Sequence, residues 1–145
     1  MLTTDQKGAI AESQIVAAAI KLGAGVYKPV VEGGRYDLIL EVGSKLLRTQ
    51  CKWAPLQGNV VVVRCYSNRR AREGLRRRGY TASEIDVIAV YCPELERSFL
   101  LHAAQFDGRL QLFLRIAPSR NNQRAGVNWA DDFAFDARLM ALSGP

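Results

Sequence analysis

The chain has 145 residues, 48% of them hydrophobic and 23% charged, with 20 Lys and Arg against 14 Asp and Glu for a net charge of +6. That length supports one compact domain with a buried core and is short for two, and the composition excludes a disordered chain. No apolar run reaches about 18 residues, which excludes a membrane-spanning helix, and Asp5, Lys7 and Glu12 argue against a secretory signal, so a cytoplasmic location is expected.

Residues 4–22 read as a helix that Thr4 or Asp5 can cap, with apolar positions at Ile10, Ile15, Val16, Ala19 and Ile20 and a stop at Gly23. Strands are expected over 26–31, 36–42, 46–53 and 59–66, with turns at Gly33-Gly34 and Gly43-Ser44 and breaks at Pro55 and Gly58. The arginine-rich stretch 68–78 reads as helical or irregular. A buried strand follows over 85–92, then a turn at Pro93-Glu94, strands over 99–101 and 110–116, and a short helical turn over 102–107. The tail from 129 to 142 has no clear period. A helix feeding a mostly antiparallel run of strands indicates an α/β or α+β domain.

Three cysteines, Cys51, Cys65 and Cys92, stand apart in apolar runs, which indicates buried free thiols rather than a disulfide framework or a zinc site. His102 is the single histidine, so chemistry built on several histidines is excluded.

Arginine outnumbers lysine fifteen to five, and seven arginines fall within residues 64–78. Unneutralised guanidinium groups at that density repel one another, and a planar fork grips phosphate through two hydrogen bonds. Arg69, Arg70, Arg72, Arg76, Arg77 and Arg78 therefore read as a segment that tracks a phosphate backbone. A second polar stretch, Arg120, Asn121, Asn122, Gln123 and Arg124, carries side chains able to pair with base edges, although such residues also fill ordinary loops.

Polar residues that interrupt apolar patterns are the candidates for chemistry. Glu12 lies on the same helix face as Gly8, Ile15, Val16 and Ala19, where a carboxylate must pair, bind metal or shift its pKa. Asp37 sits in a strand-forming run, and Gln50 and Lys52 share one face of the next strand. A two-residue turn at Gly43-Ser44 pairs position 37 with roughly position 50. Glu12, Asp37, Gln50 and Lys52 are thus expected to converge. Two carboxylates and an amide oxygen are hard ligands suited to magnesium, and a lysine beside them can stabilise charge building on a phosphate.

Gly8-x-x-x-Glu12, Tyr36-Asp37-Leu38 and Gln50-Cys51-Lys52 together resemble the PD-(D/E)XK nuclease superfamily, with Tyr36 where a proline is usual and Gln50 where an acidic residue is usual. Ser67, Tyr80 with the run 85–93, the run 114–123 and Asn128-Trp129-Ala130 are similar to its small single-domain branch, which includes a group I intron-encoded homing endonuclease. The resemblance extends from about residue 5 to 135 and implies one domain over 1–145. It also implies a restriction-endonuclease-like α/β core, with the N-terminal helix packed on a mostly antiparallel mixed sheet with further strands and short helices. Asp37 would be the central metal ligand, Glu12 the second carboxylate, Gln50 the stand-in for the acidic ligand and Lys52 the catalytic lysine. Magnesium, or manganese in its place, would be the cofactor. Double-stranded DNA would be the partner, met by a homo-oligomer (dimer or tetramer) with one active site per strand. The protein would then be nucleoid-associated when bound.

Gly23-Ala24-Gly25 follows a helix and lacks the rest of a nucleotide-binding fingerprint, and Ser67 and Ser98 lack a His-Asp set. Two function classes stay open: a magnesium-dependent DNA endonuclease, and a catalytically inactive nucleic-acid-binding domain of the same fold.

Overall fold

The computed structural model of the chain describes residues 1–118 and 126–144, apart from the side chains of residues 69–71. Helix α1 spans Thr4–Lys21. Its cap is Thr3, one residue ahead of the expected positions. The Thr3 hydroxyl accepts from the Gln6 N–H at 3.1 Å, and Gln6 Oε1 accepts from the Thr3 N–H at 2.9 Å, so two orphan donors are satisfied reciprocally. The helix ends at Leu22, and Gly23 turns the chain away with φ of 85°.

Strand β1 covers only Gly25–Tyr27 and pairs antiparallel with β2, Leu38–Val42. The expected strand over 26–31 stops early, because Pro29 has no N–H to donate. Residues 28–37 instead form a loop at the sheet edge. A two-residue turn joins β2 to β3, Lys45–Trp53, in the register Leu38↔Thr49 through Val42↔Lys45. Gly43 makes that turn with φ of 60°, and a Cβ there would lie 2.8 Å from the Ser143 carbonyl.

After β4, Leu56–Gln57, and β5, Val60–Arg64, the chain forms a hairpin of β6, Tyr66–Ala71, and β7, Gly74–Gly79. This corrects the helical or irregular reading of 68–78. A helix there would stack arginines at three- and four-residue spacing and bury Gly74 in mid-helix. The turn at Arg72-Glu73, with Gly74 at φ of 111°, spreads the charges over two faces of a ribbon.

Strand β8, Val87–Cys92, runs parallel to β3 and antiparallel to β9, Arg97–His102, giving a five-stranded mixed sheet in the order β1-β2-β3-β8-β9. Every residue of β8 is buried, as a central strand covered on both faces requires. The short helix α2, Ala103–Phe106, leads to β10, Gln111–Arg115, and β11 is Asn128–Trp129. These strands form a second sheet ordered β11-β10-β5-β4. A 3-10 turn, Ala130–Phe133, and helix α3, Phe135–Leu142, complete the chain.

Two apolar clusters sandwich the first sheet. Ile15 and Ala19 of α1 and Leu139 of α3 pack on Leu38, Leu40, Cys51, Val87 and Ala89 on one face. Val61 and Val63 of β5, with Leu112 and Leu114 of β10, pack on Ile88, Val90 and Leu101 on the other. The three cysteines are buried and free, as expected. Among the described residues no helix is long and apolar enough to cross a membrane.

Candidate active site

The site forms where β2 enters the sheet beside the end of β3. The Asp37 N–H donates to the Thr49 carbonyl at 2.9 Å, and Asp37 Oδ2 accepts from the Cys51 N–H at 2.9 Å. The carboxylate takes the hydrogen bond that a strand carbonyl would otherwise take, which explains why an Asp is accommodated at this point of a strand-forming run. Cys51 faces the helix cluster, so its neighbours Gln50 and Lys52 face the second sheet, in register with Ile88 and Val90.

Glu12 reaches the same place from α1. Glu12 and Asp37 both line a cleft of about 300 Å³, whose other walls are Lys28, Pro29, residues 31–34 and Tyr36; Gln50 and Lys52 do not line it. The Glu12 carboxylate is held by Lys28, Oε1 to Nζ at 2.7 Å. That ion pair raises the Lys28 pKa.

Burial holds the Asp37 carboxyl above its ordinary pKa. The Cys51 N–H opposes that shift, the Glu12 charge adds to it, and the charges of Lys52 and Lys28 oppose it. Lys52 is pushed the other way: burial lowers its pKa and the Asp37 charge restores part of it. The Lys52 ammonium donates to the Tyr66 carbonyl at 2.8 Å and lies 5.0 Å from the centre of the Tyr80 ring. Burial raises the Tyr80 phenol to about 12, against the Arg35 charge. The Gln50 amide donates through Nε2 to the Cys51 carbonyl at 3.2 Å, which leaves its oxygen as the atom a cation would take.

The donor set fits a hard divalent cation. Two carboxylates that repel one another share the cleft and a lysine already neutralises one of them, while the Gln50 amide stands on the next strand, outside the cleft lining. Among the described residues no group of three or more His, Cys, Asp or Glu is assembled.

The arginines lie on the hairpin. Arg76 pairs with Glu73 at 3.3 Å, Arg77 stacks over Tyr66 at 4.8 Å and Arg78 donates to Glu84 at 2.8 Å. Glu84 therefore joins Glu73 as a partner to the arginine-rich stretch, from six residues beyond Arg78. The backbone places Arg69 opposite Arg76 and Arg70 opposite Leu75, while the side chains of Arg69 and Arg70 lie outside the described residues. Arg72 is exposed at the hairpin tip. A groove of about 410 Å³ lined by Arg64, Tyr66, Asn68, Leu75, Arg77 and Gln111 runs between hairpin and second sheet. Arg120, Asn121, Asn122, Gln123 and Arg124 lie outside the described residues.

Two residues of the site carry no local signal in the sequence. Lys28 is a lone lysine in a loop, and Arg35 finds its partners more than thirty positions away.

A family model described as PD-(D/E)XK endonuclease matches residues 2–136, and the chain belongs to that family. Its fold is similar to that of a bacterial homing endonuclease, I-Ssp6803I, with a TM-score of 0.77 and 24% identity over 99% of this chain and 96% of that one. Curated proteins give no match to the chain.

Proposed function

We propose that this member of the PD-(D/E)XK endonuclease family is a magnesium-dependent enzyme that hydrolyses phosphodiester bonds in duplex DNA. The observation that carries the reading is the shared cleft of Glu12 and Asp37, with Lys52 close enough for its charge to act on Asp37. Glu12, Asp37 and the Gln50 oxygen are the groups that would hold the metal, with manganese as a substitute for magnesium. The bound ion supplies Lewis acidity toward the phosphate and lowers the pKa of a water.

The chain's own residues do the rest. Asp37 is fixed by the Cys51 N–H and presents a carboxylate in a half-buried setting, where its charge is worth more than in water. Lys52 brings a compact positive charge to balance the negative charge that builds on the phosphate. Gln50 is neutral at every working pH, so it orients or ligates and cannot act as a base.

Duplex DNA as substrate is supported by the net charge of +6 and by the basic hairpin. The backbone register sets Arg76, Arg77 and Arg78 on one strand of that hairpin. The likeness in fold to a homing endonuclease supports cleavage at a specific site, read in part by Asn121, Asn122 and Gln123. A symmetric site cut on both strands needs two active centres, hence a homo-oligomer of single-domain chains.

The test is selection from a randomised duplex library in magnesium, with Asp37→Asn as control. The reading expects cut products from the wild type alone. Binding to duplex with no cleavage in magnesium or manganese would favour the inactive binding domain, a reading that the neutral Gln50 keeps in contention.

A further inference from the structure

Arg35 lies two residues before Asp37 and is one of the most heavily engaged side chains in the molecule. Its Nη1 donates to Ser67 Oγ at 2.7 Å, on one strand of the hairpin. Its Nη2 donates to the Gly79 carbonyl at 2.6 Å and approaches the Arg78 carbonyl at 3.4 Å, on the other strand. Its Nε lies 3.1 Å from Glu84 Oε2, outside hydrogen-bonding geometry, and its guanidinium stacks 4.2 Å from the centre of the Tyr80 ring. The side chain is only 19% exposed. Most of its guanidinium is committed to the two strands of the hairpin.

The hairpin base explains what it is placed to do. Tyr66 and Gly79 are the paired residues that open the ribbon. The Gly79 carbonyl accepts from Arg35, and the Tyr66 carbonyl accepts from Lys52. One backbone pair thus receives both the lysine of the site and the arginine that leads into Asp37. We infer that Arg35 is a positioning residue for cleavage, locking the DNA-bearing hairpin to the strand entry that presents Asp37. The role rests on the nuclease reading above. A guanidinium suits it because a planar fork can hold both strands of the ribbon and a carboxylate at once, which a lysine ammonium cannot. Misplacement of reacting groups by about 1 Å is enough to lower a rate about a hundredfold, so a lock of this kind acts on rate rather than on affinity.

The test compares single-turnover cleavage, duplex affinity in calcium and thermal unfolding for wild type, Arg35→Lys, Ser67→Ala and Asp37→Asn, on a duplex selected by the wild type. Arg35→Lys should lower the cleavage rate by about tenfold or more while duplex affinity and its salt dependence stay within about twofold. Ser67→Ala removes a single acceptor and leaves the ribbon backbone intact, so its rate should fall by about threefold, also at unchanged affinity. The double variant Arg35→Lys with Ser67→Ala, measured beside them, should lose less than the product of the two factors, because both changes break the Arg35–Ser67 bond. Wild-type rates in both single variants overturn the role of Arg35 while a dead Asp37→Asn upholds the site. Affinity falling in parallel with rate makes Arg35 a DNA contact, and unfolding shifts that account for the loss make it a fold element; each overturns the inference. A wild type that cuts nothing, or an active Asp37→Asn, overturns the nuclease site itself and this role with it.

Discussion

Asp37 accepts a hydrogen bond from the Cys51 N–H at 2.9 Å, so the carboxylate is built into the edge of the ladder rather than hung beside it. An amide at the same position keeps an oxygen for that bond and discards the charge. Asp37→Asn is therefore expected to fold, to bind duplex DNA and to lose cleavage by at least about a hundredfold, since one of two carboxylates on the metal is gone. Retained cleavage at the wild-type rate would move the active site elsewhere.

The same substitution should stabilise the protein. Burial raises the Asp37 pKa above its ordinary 3.8, so the folded chain holds that proton more tightly than the unfolded chain. Stability falls as pH rises from the ordinary value through the folded one, and the ionised carboxylate weighs against folding at neutral pH. Asp37→Asn should raise Tm at pH 7 by on the order of a few degrees, with the advantage shrinking as pH falls toward the ordinary carboxylate value. Differential melting of the two proteins across that range checks the sign.

Lys28 sets a second expectation. Its ammonium sits on Glu12 at 2.7 Å, so a metal must compete for that carboxylate. The pair is largely exposed on the lysine side, so solvent screens it and the metal competes against a weak interaction. Lys28→Met should therefore lower the half-saturating magnesium concentration by about 1.5- to 5-fold at saturating DNA. A magnesium titration showing no shift, or a shift upward, would detach Glu12 from the metal site.

The hairpin arginines should act through salt. Replacing Arg76 and Arg77 with alanine should weaken binding to every duplex sequence and reduce the slope of log affinity against log salt by about one unit for each lost phosphate contact. Arg78→Ala should also loosen the Glu84 contact that Arg35 shares, so its effect on rate should exceed its effect on slope. A salt slope that does not change would leave these side chains facing solvent.

Much of this arrangement is legible in local sequence. The period of Ile15, Val16 and Ala19 marks α1, and the Gly43-Ser44 turn sets the β2–β3 register to within one residue, which brings Asp37 beside Gln50 and Lys52. The hairpin was hidden because arginine is no strand former and the ribbon is held from outside, by Arg35 and Glu84, as well as by its own stack of Arg77 on Tyr66. The parallel pairing of β3 with β8 was equally hidden. It joins segments more than thirty residues apart and is fastened by Arg48, whose fork grips both oxygens of Asp86 at 3.0 and 2.9 Å. Contacts of that range leave no periodic trace.

Gln50 is where this chain departs most from the usual chemistry of its family's motif, and Gln50→Glu is the most informative change. The side chain is half-buried and its nitrogen donates to the Cys51 carbonyl at 3.2 Å. A glutamate cannot make that donation and adds a carboxylate on the strand beside Asp37, whose pKa burial and then the Glu12 charge already raise. Without metal the substitution should lower Tm, because like charges crowd a half-buried setting. With metal the added charge should tighten binding, so the magnesium requirement should fall and Tm should recover more steeply with magnesium than in wild type. Cleavage should persist. Melting curves against magnesium for both proteins separate these effects from activity. A metal-dependent gain in Tm no larger in Gln50→Glu than in wild type would show that position 50 does not face the cation.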